Sequence, residues 1–233
     1  MDSVPSYVST VFILTTFAAV AFLLRAVKGV GLGKLPSQIL IFLLPLWIFF
    51  QAVVSIGGFY QNTTAIPPRI VLFGVLPALL TIVTYVIFFR QSFIDKIPLR
   101  ILTMLHIVRI PVEIVLLWLF QNGLVPKLMT FEGWNFDILS GILAPIVYLI
   151  AFRGDKANRG LLIAFNIIGL ILLANIVTIA VLSIPTPFQQ LAFDQPNRAV
   201  AIFPYSWLPT IVVPIVLFSH IAALWKLLGS KTD

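Results

Sequence analysis

A chain of 233 residues that is 60% hydrophobic and only 10% charged, with a mean hydropathy of +1.08, has the composition of an integral membrane protein, because soluble domains carry about 25% charge. The net charge of +7 sits in short loops beside apolar runs, so membrane topology accounts for it and nucleic acid binding does not. With no cysteine, disulfides, thiolate metal sites and cysteine nucleophiles are excluded.

Seven apolar spans follow one another, which predicts an all-α polytopic membrane bundle of seven transmembrane helices forming a single domain over 1–233. The first runs from about Val8 to Val27. The residues before it lack the basic n-region and cleavage site of a secretory signal, so this run is expected to stay in place as a helix. A glycine-rich turn, KGVGLGK, leads to the second span, about Gln38 to Gly58. The loop YQNTTAIPP then offers Asn62 in an Asn-Thr-Thr glycosylation triplet and a proline pair suited to starting a helix. The third span covers about Arg69 to Phe89, the fourth about Ile97 to Phe120, the fifth about Phe136 to Phe152 and the sixth about Leu161 to Ile184. A loop of about twenty residues, long enough to suggest a binding loop, precedes the seventh, about Trp207 to Leu228. Pro45, Pro77, Pro111, Pro145 and Pro214 lie near mid-span, so the bundle is expected to be kinked, with room for cavities.

Orientation follows from the basic residues. Arg25, Lys28, Lys34, Arg90, Lys96, Arg100, Arg153, Lys156, Arg159, Lys226 and Lys231 fall on one side, and Arg69, Lys127 and Arg198 on the other. Eleven against three predicts an outside N-terminus and a cytoplasmic C-terminus.

The fourth span carries His106, Arg109 and Glu113 in its middle. At about 100° per residue the three share one narrow stripe, and a charge at that depth costs about 2.5–3.5 kcal/mol unless it faces a partner or a cavity. Arg109 and Glu113 are one turn apart and can pair, while Pro111 frees the carbonyl of Ile107 beside them. His220 lies at a depth matching His106 on the seventh span, so the two imidazoles could hydrogen-bond each other, share a metal or bind a b-type haem axially. Two ligands fall short of the four of a structural metal site.

A third cluster is expected at the outer end. FEGWNFD brings Glu132, Trp134, Asn135 and Asp137 to the start of the fifth span, where Asn135 or Asp137 can cap the helix. The long loop adds Asp194, Asn197 and Arg198, and together these residues could line an outer vestibule. Asn166 and Asn175 are nine positions apart, on opposite faces of the sixth span, so they cannot both line one cavity and one of them should bridge helices.

The chain contains no G-x-S-x-G, H-E-x-x-H, Walker loop or C-a-a-X ending, and its seventh span has no mid-span lysine for a retinal Schiff base. The strings LTMLHIVRIPVEIVLLWLF, LMTFEGWNFDILSGI and FDQPNRAVAIFPYSWLP resemble an uncharacterised group of small bacterial membrane proteins, a resemblance that implies a bacterial inner membrane and no particular activity. From the residues, the leading expectation is a protein that binds or translocates a small polar solute, ion or proton. Arg109 would be its charge anchor, Glu113 its counter-ion or proton carrier, His106 with His220 the titratable inner elements and Asp137 a further site group, with the bilayer and a small polar or anionic ligand as partners. The alternatives are an intramembrane enzyme on a lipid-like substrate, a haem-bearing electron carrier, and a sensing or assembly subunit without chemistry.

Overall fold

Every apolar run becomes a helix, with ends within about three residues of those expected from hydropathy. The computed structural model describes residues 4–62, 64–154 and 156–229. Its helices are α1 (Ser6–Val30), α2 (Leu35–Ile56), α3 (Val71–Phe88), α4 (Leu99–Gln121), α5 (Ile138–Ala151), α6 (Arg159–Leu182) and α7 (Leu208–Gly229). No strand occurs among the described residues.

Successive helices alternate in direction. One end of the bundle gathers the start of α1, the end of α4 and the approach to α7: Ser9 Oγ lies 2.9 Å from the Tyr205 hydroxyl, and Tyr7 packs edge-on against Trp118 at 5.0 Å. We refer to it as the N-terminal end. At the opposite end Lys226 Nζ donates to the Ile97 carbonyl at 2.9 Å, and α1 crosses the start of α4 so closely that a Cβ on Gly29 would come within 2.4 Å of the Pro98 ring. α4 and α7 are the most buried of the long helices and α2 the least, so α4, with its polar stripe, is central.

Six of the seven helices are long and apolar enough to cross a membrane. The fifth corrects the expectation of seven full spans, because α5 has 14 residues and rises about 20 Å against a hydrocarbon core of about 30 Å. Its start lies at the middle of the bundle, where a Cβ on Gly141 would come within 3.3 Å of Arg109 Cβ, and Arg109 is near the midpoint of α4. Its other end packs with Leu162, Phe165 and Leu227 at the C-terminal end. α5 is therefore too short to span by itself, and the stretch 122–137 makes up the rest of its height as folded loop.

Backbone at that depth must satisfy its own polar groups. Gly133 N donates to Thr130 O, Trp134 N to Leu128 O, and Asn135 N to Thr130 O, while the Asn175 side chain reaches from α6 to the Trp134 carbonyl at 2.7 Å. The loop folds on itself so tightly that any Cβ on Gly133 would sit 2.2 Å from the Lys127 carbonyl oxygen.

The mid-span prolines set up the remaining cross-links. Pro77 has no N–H for the carbonyl of Phe73, and Gln51 Nε2 takes that acceptor at 2.9 Å. Pro214 likewise frees the carbonyl of Thr210, and Trp47 Nε1 donates to it at 2.9 Å. Trp47 and Gln51 are one turn apart, so one face of α2 is tied to both α3 and α7. Gln51 in turn accepts from the Tyr60 hydroxyl at 2.7 Å, and burial pushes the Tyr60 phenol up to about 12. Beside these links, π-helical turns at Val71–Val75 and Leu208–Val212 meet where Gly74 admits the Thr210 methyl.

Candidate functional site

Pro111 cannot donate to Ile107, and the ladder tightens just ahead of it into a 3-10 turn over His106–Val108, with Arg109 N bonded to His106 O. From this turn the polar stripe of α4 points into the bundle. His106, Arg109 and Glu113 are 0%, 2% and 1% exposed, so none faces lipid.

The acid that pairs with Arg109 is not its neighbour on α4. Asp137, at the threshold of α5, places Oδ1 2.9 Å from Arg109 Nη1. The approach is off the N–H direction, so the contact is ionic and Asp137 Oδ1 accepts no hydrogen bond. Both terminal nitrogens of Arg109 also reach the Gly169 carbonyl at 3.4 Å, and Nη2 lies 3.1 Å from His220 Nε2. Asn166 orders that imidazole. Its Nδ2 is committed to the Leu162 carbonyl at 2.7 Å, so its Oδ1 accepts the Nδ1 proton of His220 at 2.8 Å. The Nε2 lone pair is then left for the guanidinium. On α6 only glycine fits at 169, because a Cβ there would lie 2.4 Å from His220 Cε1.

His106 stacks on His220 with ring centroids 3.9 Å apart and planes 15° from parallel. Ser219 Oγ, which donates to the Leu102 carbonyl at 3.1 Å, lies 3.4 Å from His106 Nε2. Axial haem ligands aim their nitrogens at one iron from opposite sides of a macrocycle, and rings stacked face to face do not fit that arrangement. Among the described residues no three His, Asp or Glu side chains converge as a metal site.

Glu113 is held separately. Asn135 Nδ2 donates to Oε1 and Oε2 at 2.6 and 2.7 Å and to the Met129 carbonyl at 3.0 Å. Neither Asn135 nor Asp137 caps α5 through its side chain as expected. Asn135 Oδ1 instead accepts from the Asp137 amide at 3.0 Å and turns the chain into the helix.

Glu113 and Asp137 share a cavity of ≈ 140 Å³ in the N-terminal half of the bundle, walled by α1, α3, α4, α6, α7 and the loops that close that end. Arg109 and the two histidines lie behind the acids rather than on the cavity wall. Of the expected vestibule residues, only Asn135 and Asn197 are buried: Asn135 grips Glu113, and Asn197 lines the cavity while donating to the Ala180 carbonyl at 3.2 Å. Glu132, Trp134, Asp194 and Arg198 lie on the exterior. The long loop before α7 is a fixed cover, with Gln195 Nε2 bonded to the Phe120 and Val125 carbonyls and Asn197 N to Ser183 O. A larger apolar groove of ≈ 370 Å³ opens between α2, α3 and α7, and none of the polar stripe lines it.

Sequence reasoning found the stripe and both histidines but missed Gly141, Gly169 and Ser219. Gly169 carried one signal, since it follows Asn166 by a single turn and so shares its face.

No curated protein and no solved structure matches the chain. One family model matches residues 66–228, from the loop before α3 almost to the end of α7, and so takes in the whole polar network while leaving out α1 and α2. The chain belongs to that family, described as a domain of unknown function, DUF8737.

Proposed function

We propose that this protein takes up and passes on a proton or a small monovalent cation at a site midway through the membrane. The observation that carries the reading is that two carboxylates, Glu113 and Asp137, open onto one cavity while a single guanidinium, Arg109, pairs with one of them. Ionised together, the three groups sum to one negative charge, which is costly at this depth. One proton or one monovalent cation cancels it, so the site alternates between a loaded neutral form and an unloaded form that draws a replacement. The same balance disfavours the anionic ligand considered from sequence.

Arg109 is the fixed charge, and the carboxylates are the carriers. His220, ordered by Asn166, orients the guanidinium rather than relaying protons through it. The eleven-to-three lysine and arginine asymmetry supports an external N-terminus and a cytoplasmic C-terminus, which puts the cavity in the outer half.

The test is proton flux into liposomes containing the purified protein and a pH-sensitive dye. Wild type should collapse an imposed gradient, and Glu113→Gln, which keeps an acceptor for Asn135, should slow it about tenfold or more. A Glu113→Gln protein with wild-type flux would overturn the assignment.

A further inference from the structure

We infer that the cargo of this cavity is a small lipophilic ammonium ion, a protonated amine on an apolar body about the size of a benzene ring. The inference rests on the acid pair of the proposed function and names the class of cation it receives. Size is the first constraint. The cavity measures ≈ 140 Å³, and an apolar cavity of about 150 Å³ accommodates benzene.

Wall chemistry is the second constraint. Of the side chains around the cavity only Glu113, Asp137, Asn197 and Tyr205 are polar, and the rest are apolar, Phe12, Leu116 and Ile176 among them. Asn197 and Tyr205 are already engaged, with the Ala180 carbonyl and the Ser9 hydroxyl. A hard metal cation needs about six oxygen ligands to replace its water, which these walls do not supply. An ammonium group needs only two or three acceptors and brings its own hydrocarbon to meet the apolar wall.

Asp137 supplies the third constraint. It is 5% exposed and lines the cavity, yet apart from its ion pair with Arg109 its carboxylate meets no donor among the described residues. An ammonium N–H satisfies that carboxylate, and Glu113 completes the neutralisation. Because one positive charge balances the site, amine and proton compete for it, and either displaces the other.

The test is binding of benzylamine to the purified full chain by titration calorimetry, compared with benzyl alcohol for the same shape without charge, phenylacetate for the opposite charge and ammonium chloride for charge without a body. Benzylamine should saturate one site and the three comparators should bind at least about tenfold more weakly, the ratio expected from losing one charge-assisted hydrogen bond or the apolar contacts. Ile176→Trp fills the cavity from its apolar wall while keeping both acids in the chain, and should abolish binding in a protein that still elutes as wild type. Equal binding of benzyl alcohol or phenylacetate, or benzylamine binding that survives Ile176→Trp, would overturn the inference. Proton flux in a protein that does not bind benzylamine sinks the cargo and leaves the proton reading intact; benzylamine binding without flux does the reverse.

Discussion

Gly169 has no side chain, and that is why Arg109 and His220 can meet beneath it. A Cβ would stand 2.4 Å from His220 Cε1 and 2.6 Å from Nε2, so Gly169→Ala must push the imidazole away from both Arg109 and Asn166. Overpacking of this kind costs about 1–3 kcal/mol, and the variant should unfold at a lower temperature than wild type in detergent. An unchanged melting temperature would mean that His220 is free to shift and does not hold the guanidinium. At this scale the sequence was informative about burial and misleading about pairing. Regular helical geometry put His106, Arg109 and Glu113 on one inward stripe, which the structure bears out. The same geometry offered Glu113 as the partner of Arg109, but Asp137, reached only through the fold of another segment, makes the 2.9 Å contact.

Among the elements, α2 depends most on individual polar contacts. It buries little of its surface, and Trp47 and Gln51 fasten it to carbonyls that Pro214 and Pro77 release. Gln51→Leu strips the partner from both the Phe73 carbonyl and the Tyr60 hydroxyl, and a buried polar group left unpaired costs about 1–3 kcal/mol. Hydrogen exchange across 35–56 should therefore accelerate in Gln51→Leu while α4 and α7 keep wild-type protection. If α2 exchanges at the wild-type rate, the proline-released carbonyls are not its anchors. The prolines themselves were visible in the sequence as kink sites. Which side chain would answer each freed carbonyl was not, because the answer lies on a different helix.

For the whole molecule, the absence of cysteine makes the proposed orientation directly measurable. Ser6 and Lys156 are both exposed, at opposite ends of the bundle. With single cysteines at these sites, a membrane-impermeant maleimide applied to intact cells should label Ser6→Cys and spare Lys156→Cys. The reverse pattern would invert the orientation and turn the acid-lined cavity towards the cytoplasm.

Span positions and membrane character were written in the sequence, because both depend on the local length and hydropathy of each run. The inward stripe on α4 was equally legible, since it needs only helical periodicity. Tertiary structure decided the rest. The apolar run from Phe136 to Phe152 reads like any other span, yet α5 starts at mid-depth, where Asp137 meets Arg109 and Asn135 meets Glu113. That start depends on attraction between charged and polar groups far apart in the chain, which no window of residues contains. The cavity follows from the same cause, for it forms only where five helices and two loops converge around the two acids.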